Sequence, residues 1–110
     1  MPGGHCLVLL VRTDLKMSKG KVAAQVAHAT AGLMCRYRVA PQDVAISLKC
    51  PSESDLDAAY EWLRTRGYKT HLVVDAGYTQ VAPGSKTVLA CYGREDDRDL
   101  EQFRQQFKLL

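Results

Sequence analysis

The sequence predicts an α/β fold, a single domain over residues 1–110 in which a four-stranded mixed β-sheet is sandwiched between α-helices. Cys6 to Val11 (CLVLLV) is a continuous apolar run of strand length, the pattern of a strand covered on both faces. Stretches of helical length separate the first three strand candidates, which favours parallel pairing through right-handed crossovers. The link between the last two strand candidates is shorter and permits an antiparallel pair.

After Cys6–Val11 comes a polar stretch, Arg12 to Lys19. Gly20 to about Tyr37 then lacks proline, is rich in alanine, and places Val22, Val26, Ala29 and Leu33 on one side of a helix. Ser18 is its expected N-cap. Val44 to Leu48 (VAISL) is the second strand, closed by Pro51. Ser52 to Asp55 resembles a capping box, Leu56, Ala59, Tyr60 and Leu63 follow helical spacing, and Gly67 ends that helix. Thr70 to Val74 (THLVV) and Lys86 to Tyr92 (KTVLACY) are the third and fourth strands, with turn signals between them at Gly77 and Pro83-Gly84. Acidic residues from Glu95 to Asp99 suit the start of a last helix, and Leu100, Phe103 and Phe107 give it an apolar face.

With 46% apolar residues, the composition is that of a globular domain with a modest core. Cys6–Val11 is too short to span a bilayer and lacks the flanks of a signal peptide. A soluble cytoplasmic protein without membrane contact is expected, the alternative being an organellar form with a further N-terminal segment. Cys6, Cys35, Cys50 and Cys91 form no C-x-x-C pair and have no histidine at zinc spacing. They are expected to be reduced, buried thiols, with no metal and no cofactor. Charge is unevenly spread: residues 1–50 hold seven Lys or Arg against two Asp, and residues 51–110 hold eight against ten acidic residues. A basic half in a chain of net charge +3 points to a surface that faces a polyanion.

Ligands of open α/β sheets lie beyond the carboxyl ends of parallel strands, and two glycine-marked segments fall there. In the first, Lys16-Met17-Ser18-Lys19-Gly20-Lys21, three ammonium groups meet a helix N-terminus, an arrangement for phosphate or carboxylate. It lacks the spacing of a Walker loop, so nucleotide triphosphate chemistry is not expected. Lys21, Gln25 and His28 follow at i, i+4 and i+7 and form a polar stripe. A histidine there is a candidate acid, base or donor. The second segment places Asp75 directly after an apolar strand, with Gly77, Thr79 and Gln80 behind it and Thr87 on the returning strand. Neither Ser18 nor Ser85 sits in a nucleophile elbow, which favours direct attack by water over a covalent intermediate.

VLLVRTDLKMSKGKVAAQVAHAT (Val8 to Thr30) and VVDAGYTQVAPGSKTVLA (Val73 to Ala90), with the helix between them, resemble the archaeal and eukaryotic type 2 peptidyl-tRNA hydrolases. The resemblance implies a metal-independent hydrolase that cleaves the ester between a peptide and the 3′ ribose of tRNA. Its substrate partner is peptidyl-tRNA, and a homodimer is common. The family's functional positions correspond to Lys21, Asp75, Thr79 and Thr87, with His28 as a further catalytic candidate. Lys16 and Lys19 correspond to contacts with acceptor-stem phosphates, and Gln25 and Arg36 join them as candidates for tRNA binding. An inactive tRNA-binding or protein-adaptor module of the same fold is the alternative. Ser18 stands where glycine is usual, Tyr78 where a basic residue is frequent, and the Arg36 to Asp43 link is short where an extra helix is expected.

Overall fold

The computed structural model describes residues 4–39, 43–77 and 81–110. The elements are β1 (His5–Arg12), α1 (Lys19–Tyr37), β2 (Val44–Cys50), α2 (Glu53–Thr65), β3 (Lys69–Val74), β4 (Lys86–Arg94) and α3 (Arg98–Arg104). They form one compact α/β unit with the expected element order. The sheet runs β2-β1-β4-β3. β1 pairs in parallel with β2, through the α1 crossover, while β4 pairs antiparallel with both β1 and β3. β3 therefore points the same way as β1 but is separated from it by β4. The second crossover produces a parallel sense without a parallel pairing.

Alternation along the strands divides the core in two. Leu7, Leu9, Val11, Val73, Val88 and Ala90 pack beneath Ala29 and Leu33 of α1. Cys6, Val8, Leu10, Leu89 and Cys91 pack beneath Leu56 and Leu63 of α2 and Leu100 and Phe103 of α3. One helix thus covers one face and two cover the other, and α1 lies mainly over β3 and β4.

The helix starts are capped as their sequences imply. Ser18 accepts a hydrogen bond from the Lys21 backbone N–H at 3.1 Å, and Ser52 accepts one from Asp55 at 3.1 Å. Asp97 caps α3, accepting from Asp99 and Leu100. At its far end α1 stops at Arg38, in the left-handed region, whose N–H donates to the Met34 carbonyl. The described residues of the link to β2 contain no helix.

Three cysteines are buried as expected, but Cys35 is exposed. α1 buries Gln25, Ala29 and Leu33, a line of i+4 steps, and position 35 lies off that line.

Candidate active site

The site grows from the place where β3 ends. Asp75 is the next residue, and its backbone is held on both sides: its N–H donates to the Ser85 carbonyl at 2.8 Å, and its own carbonyl accepts from Gly84 N–H at 2.8 Å. These bonds close the base of the loop to β4. One carboxylate oxygen accepts from the backbone N–H of Gly77. Gly77 has φ +84°, and a Cβ there would come within 2.7 Å of Pro83 Cα and 2.8 Å of Pro83 N, so no other residue fits without moving the main chain. Gly20, in the other segment, differs in kind: a Cβ there would meet no described protein atom within 4 Å.

Because α1 begins beside the same edge of the sheet, its first turns hang over Asp75. Lys21 makes an ion pair with the second carboxylate oxygen, and the two side chains are only 12% and 6% exposed. Gln25, one turn further on, donates to that same oxygen at 2.9 Å and to the Thr87 hydroxyl at 3.1 Å. Its amide group so ties α1, the end of β3 and the start of β4 together. The Lys21 ammonium, then the Gly77 N–H and Gln25 amide, hold the Asp75 carboxyl below its ordinary range. Asp75 is therefore a fixed anion and a weak base at neutral pH.

The expected site residues are distributed unevenly. Lys21, Asp75 and Thr87 come together. Thr87 is wholly buried and is linked to the carboxylate through Gln25, which donates to both. Gln25, expected on the RNA-facing surface, is itself buried and belongs to this cluster. It stands on the i+4 line shared by Lys21 and Ala29, so the polar stripe and the buried stripe meet at position 25. His28 is exposed and lines the cleft beside Lys21 and Asp75. Lys16 and Lys19 are exposed at the entrance to α1. Arg36 is at the other end of that helix, seventeen residues from Lys19 and roughly 25 Å away along the axis. Thr79 lies outside the described residues, as does Tyr78. Among the described residues no cluster of three or more His, Cys, Asp or Glu could hold a metal ion.

Sequence reasoning counted Arg12 only as charge. Its side chain is 7% exposed, forks onto both Asp14 oxygens at 3.0 and 2.6 Å, and donates to the Lys86 carbonyl at 3.2 Å, next to Thr87. Lys86 in turn reaches Asp57 of α2 at 2.8 Å. Arg12 thereby fixes the start of β4 to the end of β1. A charged residue closing an unbroken apolar strand, with a carboxylate two positions on, was the available signal.

Peptidyl-tRNA hydrolase PTH2 is the family whose model matches this chain, over residues 5–110. The chain belongs to that family. Relatives include the peptidyl-tRNA hydrolase of Methanopyrus kandleri, 36% identical over 94% of this chain and 96% of its own length. The peptidyl-tRNA hydrolase of Metallosphaera sedula is also 36% identical, over 94% of this chain and 98% of its own length. The mitochondrial peptidyl-tRNA hydrolase 2 of Mus musculus is 40% identical over 79% of this chain, which covers 54% of that protein. The chain thus spans nearly all of the archaeal relatives and about half of the mouse one. No helix among the described residues is long and apolar enough to cross a membrane.

Proposed function

We propose that this protein hydrolyses the ester between a peptide and the 3′ ribose of tRNA, with the chemistry centred on Asp75. The observation that carries the reading is the convergence of Lys21 and Gln25, from the helix after β1, on the carboxylate that follows β3. The family of the chain supplies the substrate.

In this mechanism the Asp75 carboxylate accepts a hydrogen bond from a water and aims its oxygen at the ester carbonyl carbon. The Lys21 ammonium offsets the negative charge that develops on the carbonyl oxygen. Collapse of the tetrahedral intermediate breaks the bond to the ribose 3′ oxygen, which leaves with the proton lost by water. Gln25 and Thr87 act as positioning residues that keep the carboxylate from rotating. Thr79 is assigned to orienting water or substrate from the family pattern alone. Lys16 and Lys19 meet acceptor-stem phosphates; Arg36 would need to contact a separate part of the RNA.

Purified Asp75→Asn should lose about 10²- to 10⁴-fold in kcat on a model peptidyl-tRNA, and Lys21→Ala about 10²- to 10³-fold. Near-normal turnover in both would remove the assignment. The lowered Asp75 carboxyl also fixes the pH dependence. A depressed value means that the ionised form, and the stability it contributes, is fully present above the ordinary carboxylate range near 3.8 and is lost as pH falls through the lowered value. The kcat/KM profile should therefore stay level between about pH 5 and 8. An acid limb inside that window would show that the rate does not rest on the Asp75 carboxylate.

With Lys21 as the source of positive charge, EDTA should leave the rate unchanged. Binding of deacylated tRNA should weaken steeply with added salt, as phosphate contacts require. Two finer parts of the proposal are a homodimer, tested by sedimentation, and a cytoplasmic location, tested by fractionation.

A further inference from the structure

A cleft of about 900 Å³ opens beside the Lys21–Asp75 pair, between α1 and β3. Its floor is made by consecutive residues, His71 to Val74, although side chains of neighbouring strand residues point to opposite faces. The cleft therefore passes over the outer edge of β3 and its main chain. β3 is the terminal strand, and among the described residues no strand pairs with its outer side. Every second residue of such an edge turns its N–H and C=O groups outward.

The cleft and the basic loop differ in charge. Lys16 and Lys19 do not line it, and among its described lining residues Lys21, paired with Asp75, is the one Lys or Arg. Ala24 forms part of the α1 wall, and Val74, at the end of β3, is 56% exposed. An open strand edge lined in part by Ala24, Leu72, Val73 and Val74, whose one Lys is already paired, suits an extended peptide and offers little to a phosphate backbone. The imidazole of His71 packs so closely on Gly32 of α1 that a Cβ at Gly32 would overlap the ring, which joins this end of β3 to α1.

We propose that the peptidyl half of the substrate occupies this cleft, adding to the edge of β3 as a parallel strand. The inference rests on the peptidyl-tRNA reading above and fixes a direction within it. The ester carbonyl is the last carbonyl of the peptide and must lie at Asp75, where β3 also ends. The peptide comes to it from the His71 side, so the two chains point the same way. His71 to Asp75 spans roughly 13 Å of strand, room for about four peptide residues.

The test uses the whole chain and peptidyl-tRNAs carrying peptides of increasing length, each also made with a single backbone N-methyl group. KM should fall as the peptide grows from one residue to about four and then level off. N-methylation should raise KM about tenfold at alternate positions only, as loss of outward main-chain hydrogen bonds requires. A KM indifferent to both length and methylation overturns the proposal. Ala24→Trp, which fills the α1 wall, should raise KM for tetrapeptidyl-tRNA about tenfold without changing the Ki of deacylated tRNA. A Ki that rises in step would give the cleft to the 3′ end of the RNA and overturn the proposal. Failure of the underlying function looks different, because the unmodified chain would then hydrolyse no peptidyl-tRNA at all.

Discussion

Along β2 the outer edge of the sheet is partly closed by the chain itself, whereas along β3 the corresponding edge faces a cleft. Lys49 donates its N–H to the Lys108 carbonyl at 2.7 Å, Leu110 donates to the Ser47 carbonyl at 3.0 Å, and Leu109 bridges Leu48. A bare strand edge invites pairing with other chains, and a short antiparallel segment removes that risk on the β2 side. On the β3 side the same risk is tolerated next to Asp75, which follows the strand. Under the proposed function, the contrast assigns stability to one edge and chemistry to the other.

Of the changes that test this contrast, Gly77→Ala should have the largest effect. A side chain at φ +84° is strained, and its Cβ would run into the Pro83 main chain. The loop has to shift, and with it the N–H that holds the Asp75 carboxylate. A displacement on the order of 1 Å at a reacting group costs about 10²-fold in rate. Steady-state kinetics on peptidyl-tRNA should show that loss mainly in kcat. A variant with full turnover would show that the carboxylate does not depend on Gly77 for its position.

Ending the chain at Phe107 tests the other edge. The two main-chain bonds to β2 are lost, while Leu109 and Leu110, 71% and 51% exposed, bury little surface to lose. Net values of about 0.5–1.5 kcal/mol per hydrogen bond predict a loss of about 1–3 kcal/mol, read from a urea midpoint. Turnover should remain near that of the full chain, and self-association should increase with concentration as β2 becomes bare. If turnover falls while stability holds, the division between the edges is wrong.

How much of this was legible in the sequence follows from the range of each signal. The unbroken apolar run of β1, the capping serines Ser18 and Ser52, and the turn at Gly77 are local, and each predicted its element. Lys21 and Asp75 could be placed at one sheet edge because parallel strands share their carboxyl ends. The strand order was not legible, since a short link from β3 to β4 permits an antiparallel pair without saying that β4 also lies against β1. Three residues, Lys108–Leu110, are too few to show strand alternation, so the closed edge was missed. The burial of Gln25 was not legible, because a helix position can belong to a polar line and a buried line at once. Its i+4 spacing from both Lys21 and Ala29 was present in the sequence, and only the packing of α1 over β4 decided between them.

Gly32→Ala should produce the smallest change, and two opposing effects set its sign. Alanine in place of an interior helical glycine gains up to about 1 kcal/mol. Against this, the new methyl would overlap the His71 imidazole, which reaches into the space that Gly32 leaves on α1. Overpacking at such a contact costs about 1–3 kcal/mol, so a net loss of about 1 kcal/mol is expected in a denaturant titration. Because His71 is a side chain on the open edge, the ring can also escape by turning into the cleft. Stability would then be nearly unchanged, and KM for a long peptide would rise instead. A variant more stable than the original by the full helical gain, with KM unaltered, would mean that His71 does not rest on Gly32.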